Sequence, residues 1–184
     1  MRKLAVPGLI TLIVVALLAL LAFGVANDQD TSSLDAKVAS GHYPLAPTPD
    51  MKLAVLNSGK SESLESLRGH VVMLDFFAGW CIACQDDAGI VASSQRTLEK
   101  QGGTVIGVTY DDSSSDAESY MKQYHLKFPV LHDANGNLAS AFGVDGVPET
   151  FVINAAGKVV EIRRFQLGPK WVPDVLDPAL SKLA

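Results

Sequence analysis

Cysteine is nearly absent from this sequence, with two thiols, Cys81 and Cys84, in 184 residues. Two cysteines three positions apart close no useful loop, so the chain is not a small domain stapled by disulfides. A second pair at metal-ligand spacing is missing too: His42, His70, His125 and His132 are scattered, and structural zinc needs four ligands. Positive charge is short, with 15 Lys and Arg against 20 acidic residues and a formal charge of −5. No basic cluster offsets this, which excludes a nucleic-acid binder that works by neutralising phosphates. Repeats and low-complexity tracts are absent. The 48% apolar content excludes wholesale disorder, and the length holds one globular domain plus a tail.

The apolar content is unevenly spread. Leu4 to Ala26 is a 23-residue stretch without charge, 19 of whose residues are Ala, Val, Leu, Ile or Phe. It reads as a cleaved signal peptide with Gly24-Val25-Ala26 as the small-x-small site, or as an uncleaved anchor. Signal-peptide cores run to ~7–15 residues and a membrane span needs ~20, so length favours a signal anchor over residues 1–26. Arg2 and Lys3 precede the stretch and no other Lys or Arg occurs before Lys37, which puts the N-terminus in the cytoplasm and the remainder outside. Residues 27–44 are polar and aperiodic, with Pro44 and then Pro47 and Pro49 at the far end, and read as a flexible linker. The domain is expected over 45–184.

Within it, short apolar runs alternate with helical patterns, the signature of a sheet covered by helices. Lys52–Leu56 is a weak strand followed by a Ser58-Gly59 turn, and Leu64–Leu67 a short helical piece ended by Gly69. Val71–Phe77 is a continuous apolar run, expected as a doubly buried strand. A long helix follows from Ile82 to about Lys100, then a buried strand at Thr104–Tyr110 and a helix over Asp116–Tyr124, capped from within Asp111 to Ser115. Phe128–Leu131 is a strand and Asn137–Phe142 a helix closed by Gly143. Thr150–Asn154 and Lys158–Arg163 form a hairpin around Asn154-Ala155-Ala156-Gly157. Trp171–Leu183 is a terminal helix broken by Pro173 and Pro178. The sum is an α/β fold with a mixed sheet, parallel in its first half and antiparallel in its second, and helices on both faces.

The chemistry centres on Trp80-Cys81-Ile82-Ala83-Cys84, between the buried strand and the long helix. On a helix's first turn the two thiols can close a disulfide ring, and the first faces free backbone N–H groups and the positive end of the helix dipole. That lowers the pKa of Cys81 and makes it the attacking nucleophile, with Cys84 the shielded, resolving thiol. The competing readings are half a zinc site, which lacks its other ligands, and a structural bridge, which across two intervening residues stabilises weakly.

Two carboxylates sharpen this. Asp75 interrupts the apolar strand, where an unpaired charge costs several kcal/mol, so it needs a reason. Asp87 lies one helical turn beyond Cys84. One or both are expected to accept the Cys84 proton during resolution; the bland alternative for Asp87 is a solvated acid on the helix surface. A second constellation is Gly143-Val144-Asp145-Gly146-Val147-Pro148-Glu149-Thr150-Phe151, in which the proline should start a strand, with a cis bond to Val147 as one option.

Together these residues resemble the thioredoxin superfamily and, within it, the exported, membrane-anchored branch typified by TlpA, ResA and CcmG (DsbE). The likeness spans about Leu45 to Leu180 and is most specific at 143–151. It implies a three-layer thioredoxin-like fold and a cis Pro148 against the dithiol, where the preceding backbone, at Val147, pairs with an extended substrate segment. It also implies Trp80 as a platform beside the thiols and Glu149 as part of an acidic surface near the site. Two departures bear on redox poise: Ile82-Ala83 lacks the usual interior proline, and Asp75 stands where the branch usually has Asn.

The resulting expectation is a membrane-anchored, monomeric, extracytoplasmic thiol–disulfide oxidoreductase without a cofactor. It would reduce disulfides in exported proteins, with apocytochrome c and a membrane thiol donor as the partners the resemblance implies. The alternatives are a general disulfide reductase or isomerase and, in a different class, a thioredoxin-like copper chaperone using the two thiols and His132. A peroxidase reading lacks the expected nucleophile arrangement.

Overall fold

The computed structural model describes residues 11–21 and 34–181. The chain divides into two compact units, Met1–Ala36 and Lys37–Ala184. In the first, residues 11–21 are helical with exposed side chains. Among the described residues no helix is long and apolar enough to cross a membrane. The expected anchor over 1–26 lies largely outside the described residues and gains no support from them. Residues 34–39, inside the expected linker, are helical.

The second unit is built on seven strands: β1 (Leu53–Val55), β2 (Ser61–Glu62), β3 (Val72–Phe77), β4 (Thr104–Thr109), β5 (Val130–His132), β6 (Glu149–Ile153) and β7 (Val159–Arg163). Their helices are α1 (Ile82–Glu99), α2 (Ser114–Gln123), α3 (Asn137–Phe142) and α4 (Asp177–Ser181). A 3-10 turn at Leu64–Leu67 precedes β3, and a π-helical turn at Val172–Leu176 leads into α4. The strand order is β2-β1-β5-β4-β3-β6-β7.

β3 runs parallel to β4, and β4 to β5, as a strand–helix–strand connection requires. β6 is antiparallel to β3 and pairs with β7 in a hairpin, with a bulge between Val152 and Ile153. The expectation of a parallel first half needs correction at the edge: β1 is antiparallel to β5 and also pairs with the two-residue β2, which local patterning did not reveal. β5 begins two residues later than expected. Pro129 has no N–H to give the ladder, and only its carbonyl is used, accepting from Gly107 at 2.9 Å.

All six residues of β3 are buried because both faces of the sheet are covered. Alternate residues serve opposite layers. Met73 and Phe77 belong to a cluster with Ala88, Val91 and Leu98 of α1, Ala117 and Tyr120 of α2, and Trp171, Leu176 and Leu180 of the C-terminal segment. Phe76 faces the other way, its ring 5.8 Å from Phe142 of α3 and 5.7 Å from Phe151 of β6. Each such buried ring stabilises the fold by about 2 kcal/mol through apolar burial alone. The helices therefore lie on both faces, as the sequence pattern implied.

Candidate active site

The register explains how two distant segments meet. β3 ends at Phe77 and leads into the turn before α1, while β6 starts antiparallel beside it, with Glu149 opposite Phe76. The residue preceding β6, Pro148, is thereby set next to the end of β3. The Val147–Pro148 bond is cis.

Cys81 is the N-cap of α1, and its Sγ accepts a 3.0 Å hydrogen bond from the Cys84 N–H. Cys81 and Cys84 are joined in a disulfide. The same N–H would face a Cys81 thiolate after reduction, the polarity expected at a helix start. Val147 O lies 3.5 Å from Cys81 Sγ, so the cis-proline loop presents a backbone carbonyl directly to the dithiol. Both cysteines are buried, Cys81 to 4% and Cys84 to 2% exposure, whereas Trp80 beside them is 57% exposed. Trp80 is held by its indole, which donates to Asp111 O at 3.0 Å.

The turn that carries Trp80 packs tightly against α2. Gly79 N–H donates to Asp112 Oδ2 at 2.7 Å, and a Cβ on Gly79 would sit 2.9 Å from the Asp116 carbonyl oxygen. From the core side, the Tyr120 hydroxyl donates to Cys84 O at 2.7 Å, and its ring stacks on Phe77 at 4.9 Å.

Asp75 and Asp87 both lie inside. Asp75 is on the Met73–Phe77 face of β3, and burial lifts its carboxyl to about 7, opposed by a hydrogen bond from Thr150 and reinforced by Asp87. Asp87 is buried, so the solvated-surface alternative is excluded. Its Oδ2 accepts from Leu167 N–H at 2.8 Å. Burial raises its pKa, while the N–H groups of Leu167 and Gly168 hold it down. The Tyr120 phenol is pushed up by burial first and then by the charges of Asp75, Tyr124 and Asp87.

Glu149 corrects an expectation. It does not form an acidic surface: it is 5% exposed and ion-paired with Arg164. Its partner Arg164, just past β7, also binds the carbonyls of Phe142 and Gly143, so the carboxylate lies under that guanidinium and not on an open surface. Burial raises its pKa, and the Arg164 hydrogen bond and charge pull it back.

Sequence reasoning missed Arg164, Leu167 and Tyr120. The first two follow β7 and meet their partners only through the tertiary fold; Tyr120 sits one turn from Tyr124 on α2, a spacing that equally suits plain core packing. For Asp87 a signal existed: buried Cys84, Ala88, Val91, Ser94 and Leu98 on α1 form a stripe at spacings of three and four that includes it. The His132 ring lies 3.1 Å from Thr109 Oγ1. Among the described residues no group of three or more His, Cys, Asp or Glu could hold a metal, so the copper reading gains no support.

The AhpC/TSA family matches residues 45–162. Thiol-disulfide oxidoreductase ResA of Bacillus subtilis (strain 168) is 32% identical over 105 residues, covering 57% of this chain and 59% of that protein. The chain thus spans about three fifths of the length of that relative. ResA of Geobacillus thermodenitrificans is 28% identical over 152 residues, 83% of each chain. Among solved structures, MTB dsbF superposes with a TM-score of 0.64 at 26% identity, over 74% of this chain and 96% of the other. A Chlorobium tepidum protein assigned as thiol:disulfide interchange protein DsbE does so at 0.66 and 26%, over 77% and 96%. The match at 45–162 takes in β1 through β6, the dithiol and the cis-proline loop, so the chain belongs to the AhpC/TSA family and carries a thioredoxin-like domain.

Proposed function

We propose that this protein is a thiol–disulfide oxidoreductase that reduces disulfides in exported proteins. The observation that carries it is the dithiol at the start of α1, with an N–H at Cys81 Sγ on one side and the Val147 carbonyl on the other. In the reduced protein the Cys81 thiolate attacks a substrate disulfide, forming a mixed disulfide and releasing one substrate thiolate, which takes up a proton. Cys84, once deprotonated, attacks Cys81 Sγ. The Cys81–Cys84 bond forms, the mixed disulfide breaks, and the second substrate thiol leaves. Two electrons pass to the substrate, and an external dithiol donor must restore the protein. On this reading the Cys84 proton goes to one or both of two buried carboxyls, Asp75 on β3 and Asp87 one turn beyond Cys84 on α1.

The likeness to ResA and DsbE supports apocytochrome c as the substrate and a membrane thiol carrier as the donor. The uncharged stretch Leu4–Ala26 after Arg2 and Lys3 supports a membrane anchor with the domain on the extracytoplasmic side. The test is a Cys84→Ala trap expressed in the native host, with identification of proteins disulfide-linked to Cys81. Capture of a cytochrome or a maturation component is expected. Capture of unrelated secreted proteins alone would replace the cytochrome assignment with a general reductase or isomerase. The reduction potential, measured against a glutathione couple, gives the direction of electron flow.

A further inference from the structure

Arg164, Gln166 and Leu167, just after β7, reach both the cis-proline loop and the helix that carry the dithiol site. On the loop side, the Arg164 guanidinium donates to Gly143 O at 2.9 Å and to Phe142 O at 3.4 Å, and pairs with the Glu149 carboxylate. It also lies 5.0 Å from the centre of the Phe151 ring. Glu149 in turn accepts from Asp145 N–H at 3.4 Å. On the helix side, Gln166 Nε2 donates to Ala83 O at 3.3 Å, inside the C-x-x-C turn, and Leu167 N–H binds Asp87.

The contacts of Arg164 bracket one short loop. Gly143 opens it, Asp145 is in its middle, and Glu149 follows Pro148 at its end. The residue this loop presents to the sulfur is Val147, whose carbonyl is 3.5 Å from Cys81 Sγ. A fork-shaped cation can hold two carbonyls and a carboxylate at once, which an ammonium on a flexible stem does poorly. We infer that Arg164 is a positioning residue that fixes the Val147 edge against Cys81, so that an extended substrate segment meets a preset backbone partner. The inference rests on the oxidoreductase reading above. It assigns to Arg164 a part in binding a polypeptide and none in the chemistry of the sulfurs.

The test compares two substrates in the full chain: a disulfide-bonded peptide with extended flanks, and hydroxyethyl disulfide, which has no backbone to pair. In Arg164→Met, the ratio of kcat/KM for the peptide over the small disulfide is expected to fall roughly tenfold, through KM, as for one lost charge-assisted contact. Arg164→Lys should recover only part of the ratio. Because Arg164→Met strands the Glu149 carboxylate, the double variant Arg164→Met/Glu149→Gln is measured beside it, and the same fall is expected there with the charge gone. Equal losses on both substrates, or a shifted reduction potential with an unchanged ratio, would overturn the inference in favour of a structural role. Absence of exchange by the unaltered chain on either substrate would overturn the oxidoreductase reading itself.

Discussion

Thr150 Oγ1 donates a 2.9 Å hydrogen bond to Asp75 Oδ1 across the β3–β6 pair, in which the two residues stand directly opposite. A carboxyl in the middle of a doubly covered strand thus has a single hydroxyl set against the cost of its burial. The cost wins, and the group binds its proton up to about pH 7. The hydroxyl keeps the pKa from rising further, because a donor favours the ionised form.

Stability should therefore fall with pH where most carboxylates make it rise. The unfolded chain releases the Asp75 proton near pH 4, whereas the folded oxidised protein holds it to about pH 7. Between these values the folded state binds more protons, so stability declines as pH increases and the penalty is complete above pH 7. Asp75→Asn keeps an acceptor for Thr150 and removes the charge. Urea unfolding should find it more stable than the parent at pH 8, by on the order of a few kcal/mol, with the two converging near pH 4. Equal stability at pH 8 would mean that the carboxyl is not desolvated as described.

The same group should appear in the kinetics. If Asp75 takes the Cys84 proton, resolution of the mixed disulfide accelerates as pH rises through about 7, and Asp75→Asn loses that limb of the profile. Thr150→Val removes the opposing hydrogen bond and should move the limb to higher pH. Asp87→Asn should move the limb to lower pH without abolishing it, since the Asp87 charge helps to raise the Asp75 pKa. Stopped-flow profiles that coincide for parent and variants would remove both acids from the proton path.

Much of this site was legible in the chain because its signals are local. An apolar run broken by one acid, a C-x-x-C at a helix start and a glycine-rich loop ending in proline each place a residue type where chemistry constrains it. The hairpin and α3 were equally plain, since turn residues bound them. What escaped depends on partners far apart in sequence. Glu149 looks like a surface acid until Arg164 returns from beyond β7 to neutralise it, and β2 is two residues long, too short for a period. The antiparallel edge of β1 and the π-helical turn around Pro173 were decided by packing, not by propensity.

Gly79 is where the active-site turn can be disturbed without touching a sulfur. Gly79→Ala would set a methyl 2.9 Å from the Asp116 carbonyl, a backbone atom that cannot swing aside. The turn must move off α2, breaking the Gly79–Asp112 bond and with it the bond from the Trp80 indole to Asp111. Slower peptide exchange and an altered Trp80 emission are expected, read against Trp171, which is buried in the core and acts as an internal constant. Unaltered emission would show that the turn tolerates the methyl.

Two other glycines give opposite outcomes for one substitution. Gly107 is in β4, and a Cβ there would lie 2.9 Å from Phe77 and 3.1 Å from both Phe128 and Val130. Phe77 supports Tyr120, which holds the Cys84 carbonyl, so the strain passes to the first turn of α1. Gly107→Ala should cost about 1–3 kcal/mol by overpacking and slow exchange as well. Gly89 is exposed within α1 with nothing near its missing methyl, and there glycine only weakens the helix. Gly89→Ala should stabilise by up to about 1 kcal/mol and leave exchange alone. Thermal unfolding of the two variants decides: if both shift the midpoint in the same direction, the tight layer between β4 and α2 is not where stability and the dithiol are joined.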